Sequence, residues 1–468
     1  MMRVDARRTP QDLLPAIDRM FDLSARKIRA IEARWHPRDG APVFTENGRY
    51  TARGWTEWTQ GFQFGSALLQ FDATGERAFL DLGRSHTVER MAPHLTAVGV
   101  HDHGFNNVST YGTLWRLARE GRTDATAAEM DTYALALKVT GAVQALRWTP
   151  TADGGFIHSF NGAHSLFVDT IRTLRALALA HRIGHRLMGE QDAEIDLLHR
   201  LVQHALATAM FSVYYGRGRD IYDVRGRVAH ESMFNAKNGT YRGPSSQQGY
   251  SPFTTWTRGL AWAMLGFTEQ IEFLATVPAG DFEGLGDRDV TEALMMDAAR
   301  ATCDFYVDDA VALDGVPYWD TGAPGLPALG DWQARAAEPH NAYEPVDSSA
   351  AAVAAQALVR LGAILRARGE TNERYTSAGL QVLATLLDSA GPYLSQDAAH
   401  EGLLLHSVYH RPNGWDCIPA GENVPAGESS QWGDYHLREA ALLVRRMATH
   451  QPYLTFFGPA TADGRTAR

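Results

Sequence analysis

The chain has 468 residues, 45% hydrophobic and 21% charged, a mixture that excludes disorder for its bulk and supplies ample core material. Its 44 Lys and Arg against 54 Asp and Glu leave a formal charge of −10, which repels nucleic-acid phosphate over most of the surface and argues against a nucleic-acid partner. At ~150 residues per domain the length suits either about three domains or one large helical or barrel-like body.

The N-terminal MMRVDARRTPQDLLPAIDRM is charged, and nowhere do ~18 uncharged apolar residues follow one another. A cytoplasmic protein without a membrane partner is therefore expected. Two cysteines, Cys303 and Cys417, are too few for a disulfide framework or a thiolate metal site.

Taken in chain order, helical periodicity predicts twelve helices, over 10–34, 55–72, 75–92, 105–120, 125–145, 165–184, 191–213, 252–275, 288–309, 347–366, 373–390 and 430–448. Thr126 with Glu129 reads as a capping box, and Asp347 as the cap of the Ala-rich run from Ser348. Short β-like stretches at 155–160, 220–234, 316–320 and 402–410 read as hairpins decorating one end of the helical body. No linker or low-complexity tract divides the chain, so a single all-α domain over 1–468 is expected. Six helix pairs closing into an (α/α)6 barrel would bury their apolar faces on neighbours and leave a central hollow. An open solenoid is the rival, but the segments share no fixed repeat.

Aromatic residues gather near predicted loops, at Trp55, Trp58, Phe62, Phe64, Phe105, Tyr250, Phe253, Trp256, Trp262, Trp319, Trp415 and Trp432. Such walls suit the C–H faces of a pyranose, though each ring alone is equally well a core residue. Asp102 precedes a predicted helix, where it faces the positive end of the dipole or acts as an N-cap. Asp169 shares a predicted helix stripe with Leu166, Thr173, Ala176 and Ala180. A carboxyl on a small apolar face needs a partner or a raised pKa, and a raised pKa is what a general acid requires. His101, His103 and His230 lack the spacing of a helix-borne metal site, and neither a G-x-G-x-x-G loop, a Walker motif nor a G-x-S-x-G elbow occurs. No metal and no nucleotide cofactor are expected.

Seven stretches, in order, resemble the unsaturated glucuronyl hydrolases of glycoside hydrolase family 88, and more distantly the unsaturated rhamnogalacturonyl hydrolases of family 105. They are Trp58-Thr59-Gln60-Gly61-Phe62, His101-Asp102-His103-Gly104-Phe105, Phe167-Val168-Asp169-Thr170, Gln248-Gly249-Tyr250 with Trp256-Thr257-Arg258-Gly259-Leu260-Ala261-Trp262, Gly315-Val316-Pro317-Tyr318-Trp319-Asp320, Asp347-Ser348-Ser349-Ala350-Ala351 and Trp432-Gly433-Asp434-Tyr435. The resemblance implies an (α/α)6 barrel that removes a 4,5-unsaturated uronic acid from lyase-generated oligosaccharides by hydrating a vinyl ether. It implies Asp169, mostly protonated, as general acid/base and Asp102, as an anion, as the second essential carboxylate. It further implies His230 and Gln248 as groups positioning water or ring hydroxyls, Arg258 as partner of the uronate, and Trp58, Trp256 and Trp262 as aromatic walls. Departures fall at Gln60, where the family commonly has an acid, at Gln247, where it has His, at 251–254, and in longer connections at 324–345 and 415–431. Alternative readings are a hydrolase of saturated uronides or other glycosides on the same scaffold, and a catalytically silent carbohydrate-binding toroid.

Overall fold

The structure is a computed structural model and describes residues 1–53 and 58–458; Trp55 and the expected start of the second helix lie outside the described residues. The described residues are mostly helical, and the twelve expected segments are present. They are α1 (Leu14–Arg34), α2 (Gln60–Thr74), α3 (Arg77–Arg90), α4 (104–119, a wide π turn Gly104–Gly112 running into Thr113–Arg119) and α5 (Ala127–Leu146). Next come α6 (Thr170–Thr173 continued by Arg175–Arg182), α7 (Leu197–Phe211), α8 (Thr257–Leu274), α9 (Arg288–Phe305), α10 (Ser348–Ala367), α11 (Arg374–Leu387) and α12 (Gln431–Ala448).

Each even-numbered helix touches the next, and α12 returns to α2, so these six close into an inner ring; the odd-numbered helices pack outside it. Burial follows that division. Helices α2, α8, α10 and α12 are buried on nearly every face, whereas α3 buries only Phe79, Leu80, Gly83 and Thr87, the stripe expected of a helix with one side in water. Helix α10 is long and apolar enough to cross a membrane by length and composition, but it is enclosed by its neighbours in the ring.

Close approach at the helix starts needs glycine. A Cβ on Gly61 would stand 2.2 Å from the Asn106 carbonyl oxygen, and one on Gly104 would stand 2.3 Å from that of Thr173. Across the ring's centre, Arg172 on α6 pairs with Glu269 on α8 at 2.9 Å and with Glu439 on α12 at 2.7 Å. Removing one partner of such a fully buried set would strand a charge, at a cost of about 3–5 kcal/mol.

The capping box of Thr126 and Glu129 and the cap of Asp347 on Ser349 and Ala350 are both present. The β elements are β1 (Pro42–Glu46) with β2 (Arg49–Ala52), β3 (Trp148–Thr151) with β4 (Gly154–Ile157), β5 (Ser165–Phe167), β6 (Leu187–Met188) with β7 (Glu194–Ile195), and β8 (Glu231–Phe234) with β9 (Tyr241–Ser245). The β6–β7 hairpin joins the end of α6 to the start of α7 and so lies opposite the helix starts, against the expectation of a single decorated end. The stretches at 316–320 and 402–410 are not hairpins; they make isolated bridges, Tyr318 with Val346 and Leu405 with Ser429.

Helix α6 corrects the sequence reading. Residues 165–167 were expected as its first turn, but they form β5, because Leu166, Phe167 and Val168 are β-formers offered the edge of β8. Asp169 thus stands just before the helix, and Leu166 shares no helix stripe with it.

Candidate active site

The ladder between β5 and β8 sets the first acid in place. Phe167 pairs with Glu231, and the Val168 N–H donates to the His230 carbonyl at 2.9 Å. Asp169 at the strand-to-helix junction is therefore delivered beside His230, whose ring packs on Phe167 at 4.5 Å. Asp102 arrives from the turn before α4, which Gly104 allows to press against α6. The His101 carbonyl fixes that turn by accepting from Thr173 Oγ1 at 3.0 Å and Gln144 Nε2 at 3.1 Å.

His101 lies between the two acids. Its Nε2 is 3.5 Å from Asp169 Oδ1 and 3.8 Å from Asp102 Oδ1. Both carboxylates thus lie close enough to face the same sugar ring. Burial alone would lower the His101 pKa, but Asp102 and Asp169 outweigh it and hold the imidazole above its ordinary value. Burial raises Asp102, against the pull of His101 and with help from the neighbouring charge of Asp169. Burial would likewise raise Asp169, but its closer approach to His101 and the proximity of His230 hold it below the usual carboxylate value. In the ligand-free protein the shifts thus run opposite to the expected assignment, towards the protonated form at Asp102 and towards the ionised form at Asp169. The reason is the imidazole between them, which the sequence reading treated only as a rejected metal ligand.

His230 accepts at Nδ1 from the Gln247 N–H (3.0 Å) and the Gln248 N–H (3.3 Å). Burial lowers its pKa to about 4, so it is neutral with its proton on Nε2, a buried atom without a hydrogen-bond partner. A donor is therefore held ready beside Asp169. His103, by contrast, is spent in the core, with Nδ1 against Thr140 Oγ1 at 2.7 Å and Nε2 against the Ala97 carbonyl at 3.0 Å.

Arg258 requires a correction. Its guanidinium is buried and already engaged by Asp347 Oδ2 at 2.7 Å, by the carbonyls of Val408 (2.5 Å) and Tyr409 (2.8 Å) and by Gln248 Oε1 (3.0 Å). It has no fork left for a uronate; it orients Gln248 and ties the start of α8 to that of α10. Asp347 is accordingly an ion-pair partner as well as a helix cap.

The aromatic residues divide. Trp262 is 1% exposed, between Phe105 and His436, and Trp256 is 3% exposed, under Arg258 and beside His230. Both support the site from beneath and offer no open face. Trp58 is partly exposed and stacks on Trp432 at 4.9 Å. Phe160, missed by the sequence reading, is half exposed and stacks on His101 at 5.8 Å, so it borders the acids. Tyr250, on a loop held by Asp320 at 2.8 Å, and Trp415 are exposed as well.

Residues 36–282 match the family model of Glycosyl Hydrolase Family 88, more than half of the chain. The chain belongs to glycosyl hydrolase family 88. It is 26% identical over 443 residues, 93% of this chain and 97% of the relative, to the unsaturated glucuronyl hydrolase of Bacillus sp. (strain GL1). It is 22% identical over 444 residues, 93% of each chain, to the unsaturated chondroitin disaccharide hydrolase of Streptococcus pyogenes serotype M1. Among solved structures, a UGL variant with dGlcA-Glc-Rha-Glc superposes with a TM-score of 0.69 at 22% identity, covering 93% of this chain and 98% of the other. This family 88 enzyme therefore shares the fold of relatives solved with unsaturated oligosaccharides.

Proposed function

We propose that this family 88 glycoside hydrolase, on an (α/α)6 barrel, releases a 4,5-unsaturated uronic acid from the non-reducing end of lyase-generated oligosaccharides. The observation that carries the reading is the pair of buried carboxylates, Asp102 and Asp169, on either side of His101 Nε2. The closed inner ring supports the barrel assignment, and the names of the relatives support the substrate class.

Asp169 protonates C4 of the C4=C5 bond, leaving oxocarbenium character at C5 and the ring oxygen. Water adds to C5 and gives its proton to the Asp169 carboxylate. The resulting hemiketal opens and expels the remaining saccharide. In the free site the nearby imidazole favours the ionised form of Asp169; an anionic uronate adds negative charge in a water-poor space and favours a proton on the carboxyl. Asp102 stabilises the cationic ring in the transition state, and His230 Nε2–H donates to the attacking water or a ring hydroxyl.

Lyase digests of glycosaminoglycans, ulvan, pectin and alginate, each incubated with the protein, test the substrate class. At least one should lose its double-bond ultraviolet absorbance with release of the saccharide. Cleavage of a saturated glucuronide with no action on any digest would overturn the reading.

A further inference from the structure

We propose that the end of the ring remote from Asp102 and Asp169 carries a second binding site, for a small organic anion with an apolar or aromatic body. A cavity of about 800 Å³ opens between the last turns of α4, α6, α8 and α10 and the segment 452–458, within the size range of small-molecule pockets. Its walls are mostly apolar, with Trp115, Ile271, Ile364, Phe456 and Phe457 among them.

Two cations border it without a carboxylate partner among the described residues. Arg119 lies over Trp115 at 4.6 Å, and among the described residues Arg182 donates only to Thr276 Oγ1, at 2.8 Å. Burial and the nearby Arg119 both push Arg182 below its ordinary pKa, as expected where cations adjoin without counter-charge. The acids nearby are spoken for. Glu272 is held by Arg360 at 2.8 Å and by Tyr453 at 2.6 Å. Asp72 and Glu120 face three guanidiniums, those of Arg116, Arg122 and Arg446. Among the described residues, this end therefore holds surplus positive charge in a chain whose formal balance is −10. A bare inorganic anion would leave the apolar walls unused, and a neutral hydrocarbon would leave the arginines uncompensated; an organic anion answers both.

Arg119 and Arg182 also stand in the last turns of their helices, where the dipole favours a cation, so a capping role is the rival account. The two helices separate this cavity from the acids by roughly 20 Å at 1.5 Å per residue. The proposal is thus independent of the sugar reading.

The test is titration of the intact protein with 8-anilinonaphthalene-1-sulfonate, beside inorganic phosphate and a neutral naphthyl alcohol. Saturable one-to-one sulfonate binding is expected, at least tenfold tighter than either control. It should weaken at least tenfold in the double variant Arg119→Gln/Arg182→Gln and persist in Asp169→Asn. Ala363→Trp, which keeps both arginines and fills the cavity, should abolish it and decides the matter if the double variant does not fold. No saturable binding, or binding unchanged by filling the cavity, would overturn the proposal. Loss of thermal stability with unchanged sulfonate affinity in the double variant would assign the arginines to capping alone.

Discussion

One imidazole nitrogen lies within 4 Å of both acids, so the protonation of this site belongs to a three-group unit and not to either aspartate alone. Asp169→Asn should lower kcat on an unsaturated disaccharide by at least a thousandfold while circular dichroism stays native. His101→Gln removes the cation that holds Asp169 down, so its pKa should rise, and the alkaline limb of kcat/KM should move to higher pH, as read from a pH–rate profile. An unmoved limb would separate His101 from the acid's titration. Arg258→Ala breaks a buried ion pair and should cost about 3–5 kcal/mol in denaturant unfolding; a raised KM at full stability would instead make Arg258 a direct uronate ligand. That Asp102 and Asp169 stand together was legible from the stretches around them, but the occupancy of Arg258 was not, since its partners lie 89 and 150 residues away.

At the scale of elements, the helices were legible because each inner one is apolar over most of its length and each outer one carries a stripe. The boundary at Asp169 was not. Leu166-Phe167-Val168 suits either a helix or a strand by local pattern, and the deciding partner, β8, comes about 65 residues later. That error matters chemically, because a strand-to-helix junction, rather than a helix face, aims the acid beside His230. The contact between α4 and α6 is as decisive. Gly104→Ala would push a methyl into the Thr173 backbone and should cost about 1–3 kcal/mol, with a fall in kcat as Asp102 and Asp169 lose their spacing; thermal melting and steady-state kinetics together check this. Full activity at native stability would show that the helices can part without consequence.

For the whole molecule, ring closure brings residues from both ends of the chain together, as where Arg438 donates to Ser24 at 2.7 Å, and no local pattern announces such pairs. Closure also buries histidines in neutral form. Burial lowers His204, His406 and His436 to about 3 and His103 to about 4. Their folded values lie below the unfolded one, so their contribution is complete above pH 6.5 and is lost on acidification, each by about 1.4 kcal/mol per pH unit until its folded pKa is reached. Asp320 and Asp416, raised to about 6 by burial, act in the opposite sense between pH 6 and 3.8 but are fewer. The melting temperature should therefore fall steadily from pH 6.5 to 5, and calorimetry at matched ionic strength would show it. The central claim, protonation at C4 followed by hydration at C5, is tested most directly by proton NMR of the first turnovers of an unsaturated uronyl disaccharide in D2O. The account predicts loss of the C4=C5 bond with one deuterium delivered to a single face of C4; release of the saccharide with the double bond intact would contradict it.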